Sequence, residues 1–414
     1  MADAISFHAA RAAVLAAPLP PLRTELVPLA AAAGRRLATA VASPGPWPAT
    51  DRSAMDGFAV AAGPNGLPNG TTLPVVGQSL AGAPFAGPLP PGAAIQIMTG
   101  AVVPAGADAV IPVEQTTGFG TAETTLRAPV RAGQNVRRLG SEVRAGQTVL
   151  VPGRRLGPAE IGTLAVLGRT VVEVVRRPVV AIVATGDEVV PVEQQPLPHQ
   201  VRESNSWALA AQVEAAGGAA RCCGIAPDAP AALRAILADA LATADVVLTI
   251  GGVSKGTHDL VHGTLAELGV RATFHGIQLK PGKPTFFGGR AAAGGGASHV
   301  FGLPGNPAST FTVFDLLVRP LLQRRLGQTP PATLPKVRLG EAHWQPNARL
   351  QACLCRFART AGGELVAVVP ASSPSGDPFA LLAGDGYVLI PPGVRVGELT
   401  SAELVGSSIG MELP

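Results

Sequence analysis

The strongest pattern in the chain is an alternation of short apolar runs with helix-length segments between residues 179 and 250. The apolar runs are rich in β-branched residues, which is typical of buried parallel strands. The predicted strands are Val179–Ala184, Ala220–Ile225 and Val246–Ile250, and the predicted helices are Ser206–Ala216 and Ala231–Leu241. This order predicts a parallel-type sheet covered by helices, with a ligand crevice beyond the carboxyl ends of its strands.

The flanking segments have different patterns. Residues 4–17 and 29–42 are Ala-rich and are predicted to be helices, as is the segment that begins at Gly157. Between residues 44 and 139, short β-type runs alternate with Gly- and Pro-rich turns, which predicts a small all-β domain. After Pro330, alternating runs predict a small C-terminal β domain, either a sandwich or a barrel.

These patterns together predict a multidomain α/β plus β protein. The predicted regions are a split helical domain (1–43 and 142–177), an inserted β domain (44–141), a central α/β domain (178–328) and a C-terminal β domain (329–414). A chain of 414 residues is longer than one ordinary core supports, which agrees with several domains.

Composition and charge exclude several classes of protein. The net charge is +4, but no basic run is interleaved with aromatics, so nucleic-acid binding is not expected. Residues 57–107 carry no charged residue, yet prolines and glycines interrupt them too often for a membrane helix.

The N-terminus lacks the basic start and apolar block of a signal peptide. A cytoplasmic soluble protein without disulfides is expected, since the four cysteines have neither zinc nor redox spacing (Cys222, Cys223, Cys353 and Cys355).

The stretch from Asp245 to Lys283 carries the most distinctive candidate chemistry. Its strand runs into Gly251-Gly252, then Ser254, and Thr257 is a candidate N-cap for the helix that follows. Amides at a glycine turn and at a helix N-terminus are suited to binding anions. Taken alone, ordinary turn geometry accounts for the two glycines equally well.

Lysine usage favours the anion site. The chain carries most of its positive charge on arginine, yet three of its four lysines fall in this stretch: Lys255, Lys280 and Lys283. A compact ammonium suits phosphate contact and is not interchangeable with a guanidinium. Pro281 and Gly282 predict a stiff turn that holds the last two lysines. The combination predicts binding of a phosphate-bearing ligand.

Residues in other loops are candidates with two interpretations each. Asp56 is either a site acid or a turn residue, and Thr99 is either an oxyanion ligand or a loop hydroxyl. Glu188 follows a buried strand, and this position is equally compatible with contact to a metal or nucleotide and with capping of a helix. Acids from several loops, completed by water and substrate phosphates, are typical of a Mg²⁺ site.

Eight motifs occur in the order found in one known family. They are S-A-M-D-G-F-A (53–59), I-M-T-G-A-V-V-P-x-G-A-D-A-V (97–110), N-V-R-R-x-G (135–140), A-T-G-D-E-V (184–189), S-N (204–205), T-I-G-G-V-S-K-G-x-x-D (249–259), K-P-G-K-P (280–284) and G-L-P-G-N-P (302–307). Together they resemble the molybdopterin molybdenumtransferase family, the bacterial MoeA proteins and the C-terminal domain of gephyrin.

The resemblance implies a fold and an activity. The implied fold is an elongated homodimer whose central α/β domain binds molybdopterin. The implied reaction is insertion of molybdate into adenylylated molybdopterin, with Mg²⁺-dependent release of AMP. In dimeric relatives the inserted domain of one chain faces the α/β domain of its partner, so the resemblance implies a site shared across chains.

The resemblance also implies roles for individual residues. Residues implied in activity are Asp56, Thr99, Glu188, Asp228 and Asp259. Residues implied in binding substrate or phosphate are Gly251, Gly252, Ser254, Lys280, Lys283, Asn306 and, by looser spacing, Ser375 with Arg356 or Arg359. The implied Mg²⁺ ligands are Asp259 and Glu188. For the molybdate dianion, the candidate donors are the Thr99 hydroxyl, backbone amides, Arg137 and Arg138.

One position departs from the family pattern. After N-V-R-R-x-G the family has Glu-Asp, where this chain has Ser141-Glu142. Glu142 keeps one carboxylate, with a longer reach, and is therefore included as a candidate metal ligand.

Two other functions are compatible with parts of the chain. A molybdopterin adenylyltransferase needs only the α/β domain, so the 177 residues before it favour the transferase. A non-catalytic scaffold of the gephyrin kind is expected to have a further domain and a long disordered linker. Expected protein partners of the transferase are the adenylyltransferase and molybdoenzyme chaperones, with no nucleic acid and no membrane.

Overall fold

The computed structural model describes residues 4–252, 260–291, 297–371 and 376–406, which form two compact units. The larger unit comprises the described parts of Met1–Val27, Gly34–Ala38 and Glu173–Pro414, and the smaller unit comprises Pro28–Ala33 and Thr39–Val172. Within the described residues, no helix has both the length and the apolar character needed to cross a membrane.

A six-stranded sheet forms the centre of the larger unit. In spatial order its strands are Ala219–Ala226, Val179–Thr185, Val246–Ile250, Ala297–Leu303, Phe286–Ala291 and Arg271–His275. The first three are the predicted strands and are parallel, as the sequence predicts. Ala297–Leu303, which was not predicted, is a fourth parallel strand, and the last two are added antiparallel at one edge. The helices of this region are Asn205–Ala215, Pro230–Thr243, Leu260–Glu267, Pro307–Val313 and Arg319–Arg325, with one π-helical segment at Phe314–Val318.

The central strands are apolar throughout because helices cover both faces of the sheet. Val180 and Ile182 belong to the hydrophobic cluster on one face, whereas Ala181 and Val183 belong to the cluster on the other. All four side chains are fully buried. Alternate residues of a strand point to opposite faces, so a strand buried on both sides is almost wholly apolar; Thr249 is the polar exception in Val246–Ile250.

The C-terminal strands close into a five-stranded barrel. The strand Leu350–Arg359 pairs with both Leu365–Val369 and Gly386–Ile390, and the ring is completed by Lys336–Ala342 and Ser401–Gly406. Ile277–Lys280 extends this sheet from Leu350–Arg359, and Ile5–Ser6 extends it further. The structure therefore selects the barrel from the two predicted β architectures. A short 3₁₀ helix, Phe379–Ala383, precedes the strand Gly386–Ile390.

The N-terminal helix Phe7–Ala16 packs into the core of the larger unit. Phe7, Ala10 and Val14 are buried at helical spacing, and the Ser6 side chain caps the first turn by accepting from the Ala9 amide at 3.2 Å. Buried Arg11 donates to the carbonyls of two residues that lead into the barrel, Pro331 and Ala332.

The smaller unit contains a five-stranded sheet. Its strands, in spatial order, are Ala109–Pro112, Gly57–Val60, Ala94–Ile97, Thr72–Ser79 and Glu123–Thr125. Two small ladders pair Arg52–Ser53 with Val136–Arg137 and Val41–Ala42 with Thr148–Leu150. The predicted inserted β region is thus β-structured, and the predicted helix after Gly157 is present as Pro158–Val166.

The prediction of a helix over residues 29–42 is wrong. Only Leu29–Ala31 forms a single 3₁₀ turn, and Val41–Ala42 is a strand. Gly34 adopts φ +77°, a left-handed conformation that ends a right-handed helix. The alanines gave a high local helix propensity, which tertiary pairing overrides. The remaining described elements are the strands Thr24–Pro28, Val171–Val175, Val189–Val190 and Val201–Arg202 and the 3₁₀ helix Val113–Gln115. The four-region division of the chain stays a prediction.

Candidate functional site

The glycine turn after the strand Val246–Ile250 lies at the carboxyl edge of the central sheet. The Thr185 hydroxyl, on the neighbouring strand, donates to the Ile250 carbonyl at 2.9 Å. The Gly251 amide donates to the Leu303 carbonyl at 3.1 Å, which joins the turn to the strand on its other side. Three strand ends are therefore tied together where the parallel topology places the ligand crevice.

The local geometry admits only glycine at this turn. Gly251 and Gly252 have φ +79° and +59°. A Cβ added to Gly252 would lie 2.5 Å from Cγ2 of Val261, and one added to Gly251 would lie 3.1 Å from the Thr185 carbonyl oxygen. The turn itself and the close approach of a helix and a strand therefore both require glycine here, and the anion-site interpretation of the two glycines stays a prediction.

A second turn from the motif G-L-P-G-N-P lies against the first. A Cβ on Gly305 would be 3.9 Å from the Cα of Gly251. The Asn205 side-chain amide donates to the Gly305 carbonyl at 2.8 Å and so holds this turn from the neighbouring helix. The resemblance included Asn205 in a motif, but no role was predicted for it; its signal was the short S-N match.

Asn306 is exposed at the start of the helix Pro307–Val313, next to the loop that leads from the barrel. Its Oδ1 lies 4.0 Å from the position of a Cβ on Gly376. This proximity brings the loop around Gly376 to the G-L-P-G-N-P turn. Ser375, the adjacent candidate, lies outside the described residues, as do Ser254, Lys255, Thr257 and Asp259.

Three carboxylates meet at the same edge of the sheet. The Asp228 amide donates to Oδ1 of Asp187 at 3.3 Å, and Gly186, at φ +124°, leaves room for the Glu188 carboxylate to fold back over it. Partial burial, and then the charges of Asp187 and Glu188, raise the pKa of Asp228. This edge therefore carries a local excess of negative charge, which a bound cation would relieve.

The lysine turn is built as the sequence predicts. The Ile277 amide donates to the Lys283 carbonyl at 2.9 Å, and the Thr285 hydroxyl donates to the Gly282 carbonyl at 2.7 Å. A Cβ on Gly282 would lie 2.6 Å from Cγ2 of Val313, so the turn packs on the helix that follows Asn306. Lys280 and Lys283 are both exposed, and neither forms an ion pair with any acid in the described part of the chain.

The looser C-terminal candidates lie on the barrel hairpin. Arg356 pairs in register with Val368, and Arg359 donates to the Gly363 carbonyl at 3.1 Å. Both arginines are exposed. These contacts stabilise the hairpin, and no described contact joins either arginine to the glycine turns.

In the smaller unit, the structure brings Asp56 and Thr99 together. The Thr99 amide and hydroxyl both donate to Oδ1 of Asp56, at 2.6 and 2.7 Å. These two hydrogen bonds lower the pKa of Asp56. Both residues are exposed, so the pair forms a surface site rather than a buried structural contact.

Contacts from the strand Arg52–Ser53 hold the Thr99 turn. The Gly100 amide donates to the Ser53 carbonyl at 2.8 Å, and Nη1 of Arg52 donates to the Gly100 carbonyl at 2.7 Å. Asn135, at φ +53°, accepts from the Ala54 amide at 2.9 Å. The motifs at 53–59, 97–110 and 135–140 therefore converge on one surface. Sequence reasoning missed Arg52, which stands one residue before the first motif.

The two candidate arginines of this surface are already paired. Arg137 forms an ion pair with Glu142, and Arg138 forms one with Asp51 at 2.7 Å. Glu142 therefore contacts a guanidinium, whereas it was predicted to be a metal ligand. Across the described ranges, no group of three or more His, Cys, Asp or Glu side chains is arranged to hold a metal ion.

The chain matches known proteins along most of its length. A family model described as "MoeA N-terminal region (domain I and II)" matches residues 5–168, and one described as "Probable molybdopterin binding domain" matches residues 181–324. The fold and the glycine turns thus define the class: multidomain proteins that carry a probable molybdopterin-binding domain behind a MoeA-type N-terminal region.

Individual relatives narrow the class to a family. A molybdopterin molybdenumtransferase from Haemophilus influenzae is 37% identical over 74% of each chain, and one from Bacillus subtilis is 31% identical over 94% of this chain and 92% of the relative. A crystal structure of a molybdopterin biosynthesis MoeA protein from a Pyrococcus species aligns with TM-score 0.78 and 31% identity, over 99% of this chain and 100% of the other. The chain belongs to the molybdopterin molybdenumtransferase family.

Proposed function

We propose that the chain acts late in molybdenum cofactor biosynthesis and inserts molybdate into adenylylated molybdopterin, with release of AMP. The observation that carries the proposal is the pair of adjacent glycine turns at the carboxyl edge of the sheet, with the rigid lysine turn on the following helix. An exposed glycine, Gly252, and the exposed ammonium groups of Lys280 and Lys283 are suited to the phosphates of such a substrate.

Each group of residues has a proposed task. Lys280 and Lys283 neutralise substrate phosphate, and the Gly252 amide orients it. The bond that breaks is the phosphoanhydride between AMP and the molybdopterin phosphate, and a water molecule adds across it to give the two phosphomonoesters. The two dithiolene sulfurs bind molybdenum, and one molybdate oxygen leaves as water with the two thiol protons. A Mg²⁺ ion fits the acids at this edge, because Mg²⁺ is usually bound by one or two carboxylates together with substrate phosphates. Glu188, with Asp228 beside it and with Asp259, would hold the ion, which would supply charge stabilisation for the leaving AMP.

The reaction test uses the purified full chain. Adenylylated molybdopterin, molybdate and Mg²⁺ are mixed with the protein, AMP is measured by chromatography, and cofactor is measured by reconstituting an apo-molybdoenzyme. We expect AMP and cofactor in equal amounts, and both should depend on molybdate.

The rival functions predict different products when the same purified protein is assayed. If the chain makes adenylylated product from molybdopterin and ATP and forms no cofactor, the adenylyltransferase interpretation replaces this proposal. If neither reaction occurs in a folded preparation, a non-catalytic role is favoured.

We further propose that the chain is a homodimer whose site uses residues of both copies. The basis is the resemblance to dimeric relatives, in which the inserted domain of one chain faces the α/β domain of its partner. In this chain, Asp56 and Thr99 belong to the smaller unit, and the glycine and lysine turns belong to the larger. Sedimentation equilibrium measures the oligomeric state. A monomer at assay concentration would contradict the shared site.

A further inference from the structure

The position of one hydrogen atom determines what the Asp56–Thr99 pair can bind. Thr99 has a single hydroxyl hydrogen, and it is directed at Oδ1 of Asp56 over 2.7 Å. The Thr99 amide hydrogen is directed at the same oxygen over 2.6 Å. Neither donor of Thr99 is therefore available to a ligand while these bonds persist.

Asp56 cannot reverse this arrangement. The bonds from Thr99 lower its pKa, so the carboxyl is ionised at neutral pH and acts only as an acceptor. Its second oxygen, Oδ2, accepts from no residue in the part of the chain that the structure describes. The pair therefore presents two neighbouring acceptors, Oδ2 of Asp56 and the lone pairs of the Thr99 hydroxyl oxygen.

An oxyanion does not suit this surface. Molybdate is a dianion whose oxygens need hydrogen-bond donors, whereas here it would meet lone pairs and a carboxylate charge. The expectation that the Thr99 hydroxyl holds molybdate is thus at odds with the direction of its hydrogen bond.

Building on the proposed function, we propose that the Asp56–Thr99 pair binds an N–H donor edge of the substrate's pterin ring. A 2-amino-4-oxopyrimidine ring presents two adjacent N–H donors, which match two adjacent acceptors on the protein. The pair is a specificity element for the organic substrate, and molybdate is bound elsewhere.

A divalent cation fits the pair less well than an N–H edge. One carboxylate oxygen is already occupied by two hydrogen bonds, and in the described ranges no further acid joins the pair into a metal cluster. The pair leaves one carboxylate oxygen for an ion, which is fewer than the acids grouped at Asp187, Glu188 and Asp228 provide.

The Arg52 contact explains how the acceptors stay oriented. It anchors the Gly100 carbonyl, while the Gly100 amide is anchored by the Ser53 carbonyl. Thr99 therefore stands on a turn fixed at both backbone groups, and its hydroxyl stays directed at Asp56. Arg52 is a positioning residue in this arrangement.

The test separates the two substrates kinetically. In Asp56→Asn the free acceptor is replaced by an amide donor, and in Thr99→Val the hydroxyl acceptor is lost with little change in shape. We expect both variants to raise the KM for adenylylated molybdopterin by about tenfold to a hundredfold, because hydrogen bonds to charged groups have effects of this size. The KM for molybdate should stay within about twofold.

Two further variants serve as controls. Thr99→Ser keeps both the donor and the acceptor, so its KM for adenylylated molybdopterin should lie closer to that of wild type than the KM of Thr99→Val does. Asp108→Asn changes another acid of the same unit, whose oxygens accept from the Ala62 and Gly63 amides at 2.7 and 2.9 Å. It is expected to lower stability without altering either KM.

Calorimetry gives a readout that does not depend on turnover. Molybdate alone should bind wild type, Asp56→Asn and Thr99→Val with equal affinity, and Mg²⁺ alone should do the same. A loss of molybdate affinity in Thr99→Val would restore the oxyanion role and overturn the proposal, and a loss of Mg²⁺ affinity in Asp56→Asn would overturn it in favour of a cation site. If wild type forms no cofactor, the proposed function fails, while titration with molybdopterin still tests the acceptor site on its own.

Discussion

The glycine turns of the larger unit and the Asp56–Thr99 turn of the smaller unit are opposite in polarity. At the former, the exposed backbone of Gly252 and the exposed lysines of the neighbouring lysine turn offer donors and positive charge. At the latter, an ionised acid and a hydroxyl whose hydrogen is already used offer only acceptors. We propose that the first surface selects phosphate and that the second selects N–H groups.

The difference shows how a substrate with two chemical ends can be recognised. Adenylylated molybdopterin carries anionic phosphates and a nitrogen-rich ring, and a surface of one polarity would bind only one of these ends. Two surfaces of opposite polarity bind both, and each discriminates against ligands that have only the other end. Changes confined to one surface should therefore alter recognition of one end alone.

The largest effect is expected from Gly252→Ala. A Cβ would lie 2.5 Å from Val261, and alanine is disfavoured at φ +59°. We expect the free energy of unfolding to fall by about 2–4 kcal/mol, and turnover to fall by about a hundredfold because the amides move. Chemical denaturation and the AMP assay measure the two effects.

The matched control is Gly263→Ala, where no atom lies within 4 Å of the added Cβ, and it should raise the free energy of unfolding by about 0.5–1 kcal/mol. Equal behaviour of the two variants would contradict the assigned role of the turn.

Removing a lysine should affect only the phosphate end. Lys280→Ala is expected to raise the KM for adenylylated molybdopterin by about tenfold to a hundredfold, an effect that weakens at high salt. Lys280→Arg should restore only part of the affinity, since a guanidinium does not replace a compact ammonium.

Steady-state kinetics at two salt concentrations measures the Lys280 effect. Lys336→Ala, on a barrel strand, is the control and should have a normal KM. If Lys280→Ala and the control were indistinguishable, the lysine turn would lose its place in the site.

The three neighbouring acids Asp187, Glu188 and Asp228 should favour function at a cost in stability. Because the pKa of Asp228 is raised, the ionised form at neutral pH disfavours the folded state. Asp228→Asn should therefore raise Tm at pH 7, and the gain should shrink as pH falls and wild-type Asp228 becomes protonated. Turnover should fall about tenfold, and its Mg²⁺ requirement should rise. Differential scanning calorimetry across pH tests the first part. A lower Tm at neutral pH would show that Asp228 stabilises the fold.

The smallest effect on activity is expected at the amino edge of the same sheet. There, buried Arg325 lies 2.9 Å from Nδ1 of His299 and 3.6 Å from Asp245. Burial, and then the charges of Arg325 and Arg324, lower the pKa of His299 to about 4. The folded state therefore loses up to about 3 kcal/mol as pH falls from the ordinary histidine pKa to this value.

The His299→Gln variant tests this assignment. It should abolish that pH dependence and leave turnover at neutral pH unchanged. Urea denaturation between pH 7 and pH 4 measures the difference. An unchanged slope in the variant would assign the acid sensitivity to other groups.

Much of the fold was predictable because it rests on local patterns. The strand Val246–Ile250 and the glycines after it were visible as an apolar run and a turn, and both are present. The Ala-rich segment 29–42 misled because Gly34 and strand pairing override its helix propensity. Local propensity thus predicted elements well where burial and periodicity agreed with it.

The site was only partly predictable from the sequence. The motifs indicated that Asp56 and Thr99 matter, but 43 residues separate them, and the direction of the bond between them is set by tertiary structure. The pairing of Arg137 with Glu142 was hidden for a related reason, since charge alone does not reveal which carboxylate a guanidinium contacts. The sequence identified the candidate residues, and the structure shows which of their groups donate, accept or form ion pairs.

The central claim is that the donor surface of one chain and the acceptor surface of another act on one substrate. Co-purified mixtures of Asp56→Asn and Lys280→Ala chains test it most directly, because a shared site places both changes in one site of a mixed dimer and leaves the other site intact. The account predicts that mixing two impaired variants restores about a quarter of wild-type cofactor formation. Activity no greater than that of the separate variants would contradict it.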